Sequence, residues 1–154
     1  AVLMAIGAGI AVGCSAIGSG IGVGIVGSAA AGVISERSDK FGMALVFTAI
    51  PQTQAIYGLL IAVLMLALTG ILSSDFSVEM PVAIGLIGAG LAVGLAGFSA
   101  IGQGITCSSG IAATARNPSA IGRSLVFAAM SETFAIFGLL IAILILFGLG
   151  LFSG

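Results

Sequence analysis

The chain is 154 residues long, 60% hydrophobic and 6% charged, with no His, no Trp and a formal net charge of −1. A soluble domain averages roughly 25% charged residues. So few polar groups cannot cover a water-facing surface, and with a mean hydropathy of +1.36 the expected solvent is lipid.

The first apolar segment covers about residues 2–34. It has no basic start and no clear cleavage site, so it is read as a permanent span and not as a signal peptide. The polar break SERSDK (35–40) ends it, and a second apolar segment runs over about 41–72. The break SSDFSVEMP (73–81) leads to a third over about 81–114, and ARNPSAIGR (115–123) to a fourth over about 119–152. Each exceeds the roughly 20 residues that cross a bilayer as a helix. About 32 helical residues reach ~48 Å, so these helices project beyond the hydrocarbon or tilt. The short alternating strands of a transmembrane barrel are absent. The fold expected is an all-α membrane protein of four transmembrane helices.

All four bases, Arg37, Lys40, Arg116 and Arg123, lie in or beside the first and third breaks, whereas the second holds Asp75 and Glu79. The positive-inside rule puts the 35–40 and 115–123 loops in the cytoplasm and both termini outside. There is no basic patch for nucleic acid. Cys14 and Cys107 sit in apolar segments with neither disulfide nor metal-site spacing. GIGVGIVG (20–27) looks like a nucleotide-binding glycine loop, but it follows an apolar helix and no strand.

The halves repeat. LVFTAIPQTQAIYGLLIAVL (45–64) aligns with LVFAAMSETFAIFGLLIAIL (125–144) at an offset of 80, and GCSAIGSGI (13–21) with GFSAIGQGI (97–105) at an offset of 84. IGAGIAVG (6–13) matches IGAGLAVG (87–94) at an offset of 81, so the alignment slips within the glycine-rich part. Both copies run in the same direction, which makes a parallel duplication of a hairpin. The units are a first hairpin over 1–72 without a membrane carboxylate, an extracytoplasmic loop over 73–80, and a second hairpin over 81–154 that carries Glu132. The first helix of each hairpin is glycine-rich on several faces, which lets backbones approach closely in lipid. The second is rich in Leu, Ile and Phe. Two tight inner helices and two bulky outer ones make a wedge, and wedges set head to tail close into a ring. A plain four-helix monomer is the simpler alternative.

Past Arg123, Glu132 is the one charged residue up to Gly154. It stands 14 residues after Pro118; Gln103 stands 13 before Arg116, and Gln54 14 after Lys40. All three are thus expected at one depth, about 20 Å from the loops. In IPQTQAIY, residues Ile50, Thr53, Gln54 and Tyr57 follow i, i+3, i+4, i+7 and share a helix face. Pro51 removes a backbone donor and kinks the helix, freeing nearby carbonyls such as those of Phe47 and Ile50. A charged group at the bilayer centre is costly and usually marks an ion or proton path. The bland alternative is a protonated Glu132 hydrogen-bonded to Gln54 or Thr53, with the glutamines as interhelical glue. One carboxylate neutralises one monovalent cation. Glu132, Gln103, Gln54, Thr53 and the Ile50 carbonyl offer five oxygen ligands, a surplus over what a proton needs, which favours sodium.

The duplicated hairpin, the glycine-rich first and third helices and SETFAIFG in the fourth resemble the c-type proteolipid of V-type rotary ATPases, called subunit K in bacteria. The resemblance covers nearly the whole chain. It implies a homo-oligomeric rotor ring turned by ATP hydrolysis in a separate soluble sector, against a membrane stator, in a prokaryotic plasma membrane. The protein would carry an ion without being catalytic alone. In sodium-transporting members a hydrophobic–Pro–x–Thr–Gln–x–x–Tyr stretch and a Gln in helix three form the site. By that resemblance Ile50 (carbonyl), Thr53, Gln54, Gln103 and Glu132 bind Na+, and Tyr57 hydrogen-bonds Glu132 and holds it closed. Gln52 departs from the small residue expected there; its amide adds a ligand or crowds the site. One acid per four helices implies fewer ions per turn, a gearing that suits pumping. The loops 35–40 and 115–123 either contact the central stalk or are solvated turns. The same rotor carrying only H+ is the first alternative. A small multidrug exporter with a lone membrane glutamate, and a structural pore-forming proteolipid, are others.

Overall fold

The computed structural model describes residues 1–73 and 78–152. Asp75, in the second polar break, lies outside them. Helix α1 runs Val2–Glu36 without a break. A 3₁₀ turn over Ser38–Lys40 leads into α2, Phe41–Ala49, and a second 3₁₀ turn over Ile50–Gln52 separates α2 from α3, Thr53–Leu68. Helix α4, Met80–Ala96, continues after a short turn as α5, Ser99–Arg116. A 3₁₀ turn over Pro118–Ala120 opens α6, Ile121–Gly148. Together they make four rods long and apolar enough to cross a membrane, Val2–Glu36, Ser38–Leu68, Met80–Arg116 and Pro118–Gly148. The described residues contain no strand.

The second and fourth rods end four residues earlier than hydropathy indicates. Gly70 and Gly150, again 80 apart, take φ of 69° and 74°, a left-handed step that stops each helix. At the opposite end the duplicated loops also match. Arg37 and Asn117 both leave the helical region, and their amides bond back to the Val33 and Ala113 carbonyls at 2.8 and 2.9 Å. Asn117 Oδ1 then accepts from the Ser119 amide at 3.1 Å, ahead of Pro118 at the helix start.

The rods α1 and α4–α5 meet backbone to backbone. A Cβ on Gly90 would strike the Gly7 carbonyl, and one on Gly97 would lie 2.6 Å from Ser15 Cα. Such an approach is open to glycine alone, and it accounts for seven of the seventeen glycines in these rods. Gly9, Gly20 and Gly24, on another face of α1, meet nothing within 4 Å. Helices α2, α3 and α6 expose bulky side chains, among them Leu59, Val63, Phe134, Phe137 and Phe147.

Two apolar clusters fill the interior. One holds Met4, Ile61, Met65, Leu86 and Leu146 near the termini. The other holds Val26, Phe47, Cys107 and Ile111 towards the paired loops. Both cysteines are free. Between the clusters lies a layer of buried polar groups: Ser19, Gln54 and Gln103 are 3%, 1% and 0% exposed.

Candidate functional site: one carboxylate in a polar layer

Pro51 has no N–H, so the helix cannot continue its regular ladder through it. The chain tightens into the 3₁₀ turn Ile50–Gln52, and α3 starts afresh at Thr53, whose amide closes on the Ile50 carbonyl. This break presents Thr53 and Gln54 to Gln103 on α5 and Glu132 on α6.

Thr53 Oγ1 lies 2.8 Å from each Glu132 carboxylate oxygen. Gln103 Nε2 donates to Glu132 Oε2 at 2.8 Å and to the Ala128 carbonyl at 2.9 Å. Gln54 Nε2 donates to Gln103 Oε1 at 2.8 Å and to Glu132 Oε2 at 3.3 Å. The common depth expected for Gln54, Gln103 and Glu132 is therefore observed as direct hydrogen bonding. Thr53 Oγ1 also lies 3.0 Å from the Ile50 carbonyl and 3.2 Å from Gln54 Oε1. Four acceptor oxygens thus converge on one hydroxyl, which owns one proton and serves one of them at a time.

The cluster opens into a cavity of about 430 Å³ between α2–α3 and α6. Thr53, Tyr57, Gln103 and Glu132 give it a polar wall; Ile50, Leu125, Ala129 and Ile136 close the rest. Tyr57 lines the same cavity, one helical turn beyond Thr53. Glu132 itself is half-buried. The base nearest to it in sequence, Arg123, stands nine residues earlier, about 13 Å along the helix. An ionised Glu132 therefore meets neutral dipoles and no protein cation in its layer.

Gln52 does neither of the two things expected of it. It is exposed, lines no part of the cavity and makes no hydrogen bond to the cluster. Its position in the 3₁₀ turn points it away from the Thr53 face. Two groups in the layer escape a reading of the sequence. The Ala128 carbonyl holds Gln103, which no side-chain pattern reveals. Ser19 Oγ on α1 accepts the Ala55 amide at 2.9 Å. Its one signal is the repeat, which places Ser19 opposite Gln103.

Comparison with known proteins agrees with this architecture. The family model for the ATP synthase C subunit matches twice, over residues 6–65 and 87–145. An A-type ATP synthase subunit K of Methanocaldococcus jannaschii is 51% identical over 153 residues, 99% of this chain and 64% of the relative. A V-type sodium ATPase subunit K of Enterococcus hirae is 40% identical over 132 residues, 85% of this chain and 81% of that protein. An A-type ATP synthase subunit K of Sulfurisphaera tokodaii is 54% identical over 61 residues, 40% of this chain and 60% of the relative. The chain thus spans less than two thirds of the length of the two A-type proteins. Two tandem matches to one hairpin model, a carboxylate in the second, and similarity to two named K subunits over 99% and 85% of this chain lead to one conclusion: the chain is an integral membrane protein of the ATP synthase C-subunit family.

Proposed function

We propose that this chain is a rotor-ring component of a V/A-type rotary ATPase and that Glu132 carries Na+ across the membrane as the ring turns. The observation that carries this reading is the surplus of acceptors at Thr53 Oγ1, where the Ile50 carbonyl, Gln54 Oε1 and both Glu132 oxygens converge within 3.2 Å. A proton needs one donor–acceptor pair, whereas a hard cation takes several oxygens. In the arrangement seen here Gln103 turns its N–H group to the carboxylate. A half-turn of that amide about its terminal bond presents Oε1 instead, changing a donor that stabilises the bare carboxylate into an acceptor for a cation. Ile50, Thr53, Gln54, Gln103 and Glu132 are the proposed ligands. Tyr57, at the rim, holds Glu132 closed when the ion is bound. The name of the Enterococcus hirae relative, a sodium ATPase subunit, supports the same ion.

The open glycine face of α1 at Gly9, Gly20 and Gly24 suits the helix of a second copy, as a head-to-tail ring requires. The loops at 35–40 and 115–123 face the cytoplasm and the central stalk, both termini lie outside, and the ion passes to a membrane stator. The direction is ATP-driven pumping in a prokaryotic plasma membrane. Family membership replaces the exporter and pore readings. Transport of H+ alone is the competing reading, because Glu132 with Thr53 suffices for a proton.

The test is labelling of the assembled protein by an apolar carbodiimide, which attacks a protonated carboxyl in lipid. Labelling at Glu132 that sodium slows is the expected result. Sodium without effect between mildly acid and mildly alkaline pH would decide for H+.

A further inference from the structure

Helix α3 begins in the middle of the membrane, and the first amides of any helix lack acceptors within it. With Gln52 at the N-cap position, Ala55 is the third helical residue, whose amide an N-cap side chain ordinarily accepts. Gln52 makes no such bond, and its side chain is exposed. The oxygen comes from another rod: Ser19 Oγ, 3% exposed on α1, takes the Ala55 amide at 2.9 Å. Helix α1 is pressed onto the break at this level. A Cβ on Gly22 would lie 3.1 Å from Pro51 Cβ and strike the Ala100 carbonyl. The duplication sharpens the point. Ser19 occupies the place that Gln103 holds in the second copy. Gln103 reaches the carboxylate, whereas the short serine ends at the backbone of α3.

We propose that Ser19 is a positioning residue for sodium: by capping α3 from α1 it keeps the Pro51 turn tight, and so keeps the Ile50 carbonyl and the Thr53 hydroxyl at Glu132. This rests on the sodium reading above. Without the serine oxygen the Ala55 amide turns to the Pro51 carbonyl four residues back, its partner in a regular helix, and taking it winds the turn towards that helix. Ile50 and Thr53 then rotate relative to α6. Sodium loses two of its oxygens, while a proton on Glu132 still has an acceptor. Ser19 therefore acts on the choice between the two ions without touching either.

The experiment measures, in the assembled protein, the sodium concentration that halves carbodiimide labelling of Glu132, together with the labelling rate in sodium-free buffer. Ser19→Ala is expected to raise the half-protecting sodium concentration about 3- to 30-fold, the range of a lost helix cap. The sodium-free rate should stay at the wild-type value. Ser15→Ala is the control. Ser15 is equally buried on α1, but its hydroxyl bonds the Val93 carbonyl at 3.2 Å, away from the break. It should leave the sodium requirement unchanged. Equal shifts in both variants would reduce Ser19 to general packing and overturn the proposal, as would an unshifted Ser19→Ala. If Ser19→Ala does not assemble, Ser19→Cys keeps the shape with a weak acceptor and is read by the same comparison. A wild-type protein that sodium does not protect defeats the sodium reading itself, before any variant is compared.

Discussion

Replacement of Gln103 by Ala tests the ligand set most directly. Gln103 is fully buried and links three helices: its amide donates to the Ala128 carbonyl and to Glu132, and accepts from Gln54. Gln103→Ala removes one neutral oxygen from the proposed sodium shell and leaves Glu132, Thr53 and Gln54 in place. The loss is on the scale of a hydrogen bond to a charged group, about 1.5–3 kcal/mol. That corresponds to a rise of about 10- to 150-fold in the sodium concentration needed for half-maximal effect. Gln54 Nε2 and the Ala128 carbonyl each lose a partner as well. The space vacated is polar on three sides, so water enters it and limits the structural loss. The assay is sodium-dependent ATP hydrolysis and sodium uptake in vesicles holding the complete enzyme, with carbodiimide protection as the binding measure. Proton binding should suffer less, because Thr53 still faces both carboxylate oxygens at 2.8 Å. A normal sodium requirement in Gln103→Ala would remove Gln103 from the shell and, with it, the argument from surplus oxygens.

Three other outcomes are expected. Glu132→Gln keeps the shape but cannot change charge, so the protein should assemble, resist carbodiimide and transport nothing; surviving transport in vesicles would end the proposed mechanism. Gly90→Ala drives a methyl into the Gly7 carbonyl, and overpacking of this kind costs about 1–3 kcal/mol, read as a lower melting temperature in detergent; an unchanged melt would contradict the close approach of α1 and α4. A Cβ on Gly20 meets nothing within 4 Å in the chain, so in Gly20→Leu the helical content should persist while native mass spectrometry shows the ring lost; an intact ring would mean that this face of α1 is not the contact between copies.

The spans, the loop asymmetry and the duplication are legible because each is written in composition: long apolar runs, bases in alternate breaks, and a repeated hairpin. The depth of Glu132, Gln103 and Gln54 follows from counting, since helix rise is constant. Other features escape for physical reasons. Hydropathy extends the second and fourth rods to residues 72 and 152, because Ile71, Leu72, Leu151 and Phe152 are apolar; it is blind to Gly70 and Gly150, where φ near +70° stops the helix. By the resemblance Gln52 either adds a ligand or crowds the site, and the repeat aligns it with Glu132. Alignment presumes an unbroken helix, and the 3₁₀ turn rotates Gln52 away. Ser19 carries no sign of its role in its own neighbourhood. Its partner is a backbone amide on another helix, in the first turn after the 3₁₀ break at Ile50–Gln52.

The two copies have divided a task that one helix cannot hold alone. A proline break frees carbonyl oxygens, and those oxygens repel an ionised carboxylate placed among them. The first copy keeps the break, Pro51, and has Gln52 where its twin has an acid. The second keeps the acid, Glu132, and has Ser131 where its twin has the proline, so α6 runs on as a regular helix from Ile121 to Gly148. The acceptors and the charge then meet across a helix interface, at Thr53, where the oxygens converge on a single hydroxyl proton. An acid at position 52 would stand exposed on this chain, outside the layer that holds Gln54 and Gln103. One carboxylate in the polar layer per four helices thus stands opposite a break that supplies its oxygen neighbours.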